Sequence, residues 1–132
     1  MLTRAVMTQH PRTLCLDDSI GEAWRALDEL EVRHLPIVNR LDEVVGMLSD
    51  RDLVRTSRDS PNPVATLMSD HVVAVTPDTP LDDVIERLVK GHIGALPVID
   101  EEHHVVGIVS YVDVLRALPM LVREKAARIA SA

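Results

Sequence analysis

Hydrophobic and polar positions along this chain follow one pattern that occurs twice in the same order. Each copy starts with a short extended segment, continues with apolar residues at helical spacing, and then has two apolar runs typical of buried strands. A second helical pattern ends each copy. Shifted by 61 positions, residues 6–55 fall without a gap on residues 67–116. The pattern therefore predicts the element order β-α-β-β-α, twice over.

Capping residues and strand-forming runs predict where these elements begin and end. Ser19 and Glu22 have the spacing of a capping box, which starts a first helix with apolar positions through Leu30. The other elements predicted in the first copy are an extended segment at 13–16, a hairpin of strands at 35–38 and 44–48, and a short helix at 49–57. The second copy predicts an extended segment at 72–75, a helix from Thr79-Pro80 to Gly91, strands at 96–99 and 105–109, and a helix at 110–118.

The two copies are joined by a polar, proline-containing segment, residues 59–63, which predicts a linker. We expect one repeat over 1–58, a second over 64–118, and a C-terminal helical tail over 119–132 that Pro119 separates from the helix before it. A unit of this size cannot bury its own apolar face, so the repeats should share a core about a pseudo-twofold axis. Strands interleaved with helices predict an α/β fold whose sheets are covered by helices.

Composition narrows the range of functions. With 14 basic and 21 acidic residues the net charge is −7, and no basic cluster marks a nucleic-acid interface. No apolar run reaches the roughly 20 residues that span a bilayer, so we expect a soluble cytoplasmic protein without membrane contact. The single cysteine, Cys15, excludes an internal disulfide, and its apolar strand favours a buried thiol. His103 and His104 in a predicted turn lack a third ligand, so no metal site is expected.

One motif, Gly-h-h-Ser-x-x-Asp with h apolar, occurs in both repeats, at 46–52 and 107–113. Each copy leaves a strand and enters a helix, where free backbone N–H groups favour an anion. A serine there can donate to a phosphate oxygen, and an ionised aspartate one turn later can accept from ribose hydroxyls. The pair thus indicates a nucleoside phosphate site. Ser-x-x-Asp is also close to a capping box, so the same residues can serve only to start helices.

The chain resembles a tandem pair of CBS (cystathionine β-synthase) domains, the arrangement called a Bateman module. The resemblance covers about residues 2–118 and is carried by Leu-Pro-Ile-Val at 35–38, Leu-Pro-Val-Ile-Asp at 96–100, and both Gly-h-h-Ser-x-x-Asp motifs in ungapped order. It implies two clefts between the repeats that hold adenine-bearing ligands such as AMP, ADP, ATP or S-adenosylmethionine. No cofactor beyond such a ligand is implied.

In that family each cleft takes its serine and aspartate from one repeat and its adenine wall from the other. Carried over, one cleft combines Met47, Ser49, Arg51 and Asp52 with Val72, Val73, Ile93 and Ala95. The other combines Ile108, Ser110 and Asp113 with Arg12, Thr13, Val32, Arg33 and His34. Arg33 and His34 correspond to Gly94 and Ala95 in the repeat alignment. We therefore expect the clefts to differ in affinity or in the number of phosphates that they accept.

The resulting hypothesis is a stand-alone regulatory module that binds an adenine nucleotide or S-adenosylmethionine and transmits occupancy to an effector protein. Catalysis is not expected, because no nucleophile-base-orienter arrangement is recognisable. The resemblance also implies a homodimer, with Trp24 either in the core or as an interface anchor. The alternative is a protein-interaction or scaffold module whose clefts are vestigial, with serine and aspartate acting only as caps.

Overall fold

A computed structural model describes residues 1–131, and it has an α/β fold with two three-stranded sheets. The strands are β1 Thr8–Gln9, β2 Leu14–Cys15, β3 His34–Val38, β4 Val44–Ser49, β5 Ala95–Ile99 and β6 Val105–Ser110. The helices are α1 Ile20–Leu30, α2 Asp50–Leu53, α3 Leu81–Gly91 and α4 Tyr111–Ser131, with 3-10 turns at Thr3–Ala5 and Val64–Thr66. The predicted α/β class and the duplicated helix-hairpin-helix order are confirmed.

Backbone pairing exchanges the first segment of each repeat. One sheet has the order β2-β3-β4 and the other β1-β6-β5, so β1 of the first repeat pairs with β6 of the second. Thr8 lies opposite Ile108 in this antiparallel pair. At the equivalent place in the other sheet, the backbone N–H groups of Met47 and Ser69 donate to each other's carbonyl oxygens at 3.0 and 2.9 Å. Each sheet is therefore completed by a segment of the other repeat.

The glycine of each motif makes room for the exchanged segment. A Cβ built on Gly46 in β4 would lie 3.0 Å from the carbonyl oxygen of Ser69 and would collide with the sulfur of Met68. Gly107 in β6 has the same relation to Met7, whose Sδ would lie 2.7 Å from the added Cβ. Neither glycine has a positive φ. Glycine is therefore needed at both positions because another backbone segment crosses closely.

Two aliphatic clusters form the interior, one behind each sheet. The buried residues of the first are Leu14, Ile20, Ala23, Ala26, Leu27, Leu35, Ile37, Leu48, Leu53 and Val64. Those of the second are Val75, Leu81, Val84, Leu88, Leu96, Val98, Val109 and Leu121. Val6 and Met7 pack against the second cluster, whereas Leu67 and Met68 pack against the first. The exchange of segments thus extends from the sheets into the two cores.

Helices α1 and α3 occupy equivalent places and end in the same way. The Ser19 hydroxyl caps α1 as predicted, accepting a backbone N–H three residues later at 3.1 Å. Glu31 and His92 follow the two helices in the left-handed conformation, with φ of 52° and 51°. Gly91 is the last residue of α3, as the sequence predicts, and His92 after it takes the left-handed position.

Helix α4 continues through Pro119, so the prediction that proline separates a tail helix is wrong. Proline has no N–H to donate, so the carbonyl oxygen of Leu115, four positions earlier, loses its helical hydrogen bond. Leu115 lies on an exposed side of the helix, where water can donate to that oxygen instead. Beyond the proline, Leu121 is buried in the second cluster and Lys125 pairs with Asp82 of α3 at 3.1 Å. These contacts hold the second half of α4 in line. Among residues 1–131, no helix is long and apolar enough to cross a membrane.

Three shorter segments also differ from the prediction. Of the extended segment at 72–75 only Val75 pairs with a neighbour, because the chain is crossing there from the first sheet to the second. Helix α2 ends at Leu53, its single buried residue, rather than near 57. Cys15 is exposed, since β2 has only two residues and Leu14 takes the inward-facing position.

Side chains and backbone also meet across the contact zone between the repeats, called the seam. The backbone N–H of Val44 donates to the carbonyl oxygen of His103 at 3.3 Å, which joins the two hairpins. The imidazole of His34 lies over Gly94, where an added Cβ would be 2.6 Å from Nε2. The strand that begins at His34 therefore touches the residue just before β5.

We predict that alanine is tolerated less well at Gly46 than at Gly94. The Ser69 carbonyl oxygen beside Gly46 is backbone and cannot move without loss of the exchanged pairing, so overpacking should cost about 1–3 kcal/mol. At Gly94 only the tip of the His34 ring is in the way. Urea unfolding should give a smaller loss for Gly94→Ala, and His34→Ala should remove that loss. Met68→Ala should relieve Gly46→Ala only in part, and equal costs at the two glycines would contradict this account.

Candidate functional site

Both Ser-x-x-Asp motifs lie where a strand of a central hairpin ends and a helix begins. Asp52 Oδ2 accepts the backbone N–H of Ser49 at 2.8 Å and the Ser49 hydroxyl at 3.2 Å. Asp113 Oδ2 accepts the same two donors of Ser110, at 2.8 and 3.1 Å. Each aspartate therefore has one oxygen engaged in a helix cap, and the capping interpretation of the motif is met in both repeats.

The second oxygen of each aspartate distinguishes the two motifs. Asp113 Oδ1 accepts the hydroxyl of Thr8 at 3.2 Å, from the exchanged strand β1. Ser69 is the equivalent of Thr8, and within residues 1–131 no hydrogen bond joins its side chain to Asp52. An ionised carboxylate can accept about four hydrogen bonds. Asp52 Oδ1 is thus the less occupied acceptor of the pair.

Strand pairing brings the two motifs to the same seam. Ser49 lies opposite His34 across β3 and β4, and Ser110 lies opposite Ala95 across β5 and β6. The first helical residue after Ser110 donates its backbone N–H to the carbonyl oxygen of Gly94 at 3.3 Å. Because the ring of His34 covers Gly94, the ends of both hairpins meet there. Ile93 and Ala95, two predicted wall residues of the Ser49 cleft, flank this contact.

The electrostatics of His34 link it to the Ser49 motif. Burial lowers the pKa of its half-buried imidazole below the ordinary range, and the nearby carboxylates of Asp50 and Asp52 act in the opposite direction. Arg33 and Arg51 add to the lowering of this pKa. His34 is therefore neutral at neutral pH. It was assigned by resemblance to the Ser110 cleft, yet the charges that it feels include those of the Ser49 motif.

The other predicted site residues divide into a half-buried apolar set and an exposed set. Met47, Val72, Val73, Ile93 and Ile108 are half-buried, as is Thr13. Arg12, Val32, Arg33 and Arg51 are exposed, and none of these arginines belongs to an ion pair within residues 1–131. The apolar set offers surface for a flat ring, and the arginines offer charge for an anion.

Two surface hollows lie away from these residues. One of about 410 Å³ is lined by Arg4, Met7, Gln9, His10, Pro77, Asp100 and Val106. Another of about 220 Å³ is lined by Met1, Leu2, Pro80, Asp82, Leu121, Glu124, Lys125 and Arg128. Neither hollow contains a serine or aspartate of the motifs. Within residues 1–131 no group of three or more His, Cys, Asp or Glu side chains is placed to hold a metal ion.

Sequence reasoning missed three residues that bear on the site. The Thr8 hydroxyl donates to Asp113, and the Ser69 backbone is hydrogen-bonded to that of Met47. Gly94 packs against the His34 ring. The 61-residue offset makes Thr8 and Ser69 equivalent, and it could have marked them as a pair. The exchange of segments that gives them their role is visible only in three dimensions.

Comparison with known proteins agrees with this architecture. The family model of the CBS domain matches residues 4–59 and again 64–120. The solved structure of the CBS domain pair of protein MJ0100, in complex with 5′-methylthioadenosine and S-adenosyl-L-methionine, is 28% identical with a TM-score of 0.83, over 90% of this chain and 96% of that one. The structure of CBSX2 in complex with AMP is 25% identical with a TM-score of 0.81, over 91% and 97% of the two chains.

Longer proteins contain a similar segment. Inosine-5′-monophosphate dehydrogenase of Methanocaldococcus jannaschii is 30% identical over 119 residues, which are 89% of this chain and 24% of that protein. The chain thus spans about a quarter of the length of this curated relative. Both family matches, together with the duplicated hairpins and exchanged segments, account for nearly all of the sequence. The chain belongs to the CBS domain family, as a tandem pair of CBS domains.

Proposed function

We propose that this chain is a regulatory module that binds AMP, ADP, ATP or S-adenosylmethionine between its two repeats and passes the occupancy on to a partner. The observation that carries the proposal is the duplicated serine-aspartate pair at the seam, with Asp52 Oδ1 available to a further donor. Its other oxygen is held by Ser49, so the carboxylate is oriented before a ligand arrives. Preorganisation of this kind lowers the entropic cost of binding.

The ligands of related CBS pairs support the adenosine part of the proposal. 5′-Methylthioadenosine, S-adenosyl-L-methionine and AMP share an adenine and a ribose. A ribose presents two neighbouring hydroxyl donors, which suit the acceptor-only carboxylates of Asp52 and Asp113. The half-buried side chains of Met47, Ile93 and Ile108 would then cover the adenine ring by dispersion and burial.

The same geometry favours unequal clefts. In the Asp113 cleft a ribose hydroxyl must share Oδ1 of Asp113 with the Thr8 hydroxyl or displace that hydroxyl. Asp52 Oδ1 has no such competing donor within residues 1–131. A neutral His34 adds no charge for a phosphate at neutral pH, so Arg12, Arg33 and Arg51 are the cations that would meet one. The Asp52 cleft is therefore proposed as the tighter site for the adenosine group.

Transmission would run through the seam. A ligand that contacts both repeats binds best at one angle between them, and the exchanged segments carry that angle into both sheets. Coupling of this kind amounts to about 1–3 kcal/mol in proteins generally. We propose that a homodimer or an effector protein reads the change, and that the chain itself does no catalysis. The enzyme activities of longer relatives belong to chains of which this one spans about a quarter.

Asp52→Asn should weaken adenosine-ligand binding about 10- to 100-fold, because the carboxamide can still accept from Ser49 but cannot accept from both ribose hydroxyls. Isothermal titration with AMP and with S-adenosylmethionine measures this. With ligand present at one hundred times its dissociation constant, the free energy of unfolding of the wild type should rise by about 2.7 kcal/mol. Asp113→Asn should cost less, because Asp113 already has Thr8 as a donor.

The matched control is Ser19→Ala, which removes the cap of α1 away from the motifs and should lower stability without changing affinity. Suppose that the wild type binds none of AMP, ADP, ATP or S-adenosylmethionine, and that Asp52→Asn only lowers stability. The serine and aspartate of the two motifs then serve only as helix caps. The scaffold alternative would then replace the proposed function.

Acidification should destabilise the protein through His34. Its pKa is lower in the folded than in the unfolded chain, so the unfolded chain binds more protons as the pH falls through the ordinary value of about 6.5. The free energy of unfolding should therefore be highest above pH ~7 and fall towards pH ~5.5. Urea unfolding across this range measures the slope. His34→Gln should flatten the slope and the exposed His103→Gln should leave it unchanged; an unaltered slope in His34→Gln would exclude this cause.

A further inference from the structure

The exchanged segments carry equivalent hydroxyl side chains across the seam, to the strands that precede the two motifs. Thr8 in β1 and Ser69 correspond to each other in the repeat alignment. Thr8 lies opposite Ile108, and the Ser69 backbone pairs with that of Met47. Ile108 and Met47 are themselves equivalent, so both segments cross at the same register. Any difference between the two hydroxyls therefore comes from the side chains and not from the backbone pairing.

Only one of the two hydroxyls is bonded to a motif aspartate. The Thr8 hydroxyl donates to Oδ1 of Asp113 at 3.2 Å. Within residues 1–131 no hydrogen bond joins the Ser69 side chain to Asp52. The γ-methyl group of a threonine restricts its χ1 rotamers, and serine has no such group. The same segment that completes the second sheet therefore holds the Thr8 hydroxyl on the carboxylate of Asp113.

This bond changes how many further hydrogen bonds each aspartate can accept. An ionised carboxylate offers about four positions for donors, two on each oxygen. On both aspartates Oδ2 is filled by the backbone N–H and the hydroxyl of the capping serine. Among residues 1–131 no donor occupies Oδ1 of Asp52, so both of its positions are open to a ligand. The Thr8 hydroxyl leaves Oδ1 of Asp113 with one open position.

We propose that Thr8 sets the sugar specificity of the Asp113 cleft, so that this cleft binds an adenosine ligand with a single ribose hydroxyl, such as a 2′-deoxynucleotide, nearly as well as a ribonucleotide. A ribose presents two neighbouring hydroxyls, and Oδ1 of Asp52 can accept both. At Asp113 the second hydroxyl can reach the carboxylate only by displacing Thr8. The hydrogen bond gained is then offset by the one lost, so the second hydroxyl adds little affinity.

The oxygen of Thr8 does not restore the lost position in full. A hydroxyl that donates its hydrogen can still accept a hydrogen bond, so a ribose hydroxyl could donate to Thr8 instead of displacing it. That acceptor is neutral, and hydrogen bonds to a neutral acceptor are about half as strong as those to a carboxylate. The two clefts therefore differ in either case. The inference rests on the proposed function, because it assigns a ligand preference to the same clefts.

NMR titration can follow the two clefts separately in one protein. The backbone N–H of Ser49 donates to Asp52 and that of Ser110 donates to Asp113, so each amide resonance reports on its own aspartate. Titration with AMP and with 2′-deoxy-AMP then gives a dissociation constant for each ligand in each cleft. At Asp52 the deoxy ligand should bind about three- to tenfold more weakly than AMP, the effect of one hydrogen bond. At Asp113 the difference should stay below about twofold, because the bond to Thr8 is kept.

Thr8→Val removes the hydroxyl and keeps the shape of the side chain, so at Asp113 it should raise the preference for AMP over 2′-deoxy-AMP to the level of the Asp52 cleft. Ser69→Ala, at the equivalent residue, is the matched control and should change neither preference.

An unchanged preference at Asp113 in Thr8→Val, or equal preferences in the two clefts of the wild type, would overturn the role of Thr8 and leave the proposed function in place. A Ser110 amide that neither nucleotide shifts would do the same. If AMP, ATP and S-adenosylmethionine shift neither reporting amide, the proposed function fails and this inference fails with it.

Discussion

Backbone hydrogen bonding between the repeats is the constraint on which the rest of the structure depends. A hairpin with an open edge leaves N–H and C=O groups without partners, and burying such groups is costly. Here β1 closes the β6 edge, and Ser69 pairs with Met47 beside the other sheet. The glycines of both motifs, the crossing methionines and the division of the two cores follow from that closure.

The proposed ligand chemistry is attached to the same closure. The segment that completes the second sheet also brings Thr8 to Asp113, whereas its counterpart Ser69 contributes backbone bonds alone. The two motifs, which are alike in sequence, therefore differ through what the exchanged segments add. His34 stands between them, its ring on Gly94 and its charge state set by burial. Fold and site share these contacts, so a change at one is felt at the other.

Much of the fold followed from periodicity because the signals were local. The two hairpins, the Ser19 cap and the positions of α1 and α3 rest on neighbouring residues. Where tertiary contacts decided the outcome, local rules were wrong: α4 passes through Pro119 because Leu121 and Lys125 dock beyond it. For the site, the sequence predicted which residues could act and that serine and aspartate could cap. It could not predict the roles of Thr8 and Gly94, because these depend on contacts between distant parts of the chain. Thr8 contacts Asp113, about a hundred residues later, and Gly94 contacts His34, about sixty residues earlier.

The exchanged segments also bear on how such a chain could arise. A molecule with a single repeat has a sheet edge that its own first segment does not cover, so it would have to lend that segment to a neighbour and borrow one in return. Such a domain-swapped pair is a low-cost route to a symmetric dimer. Duplication and fusion of the gene would then convert an intermolecular swap into the internal one, with residues 59–63 as the joint. The pseudo-twofold arrangement is on this account the remnant of a true twofold axis.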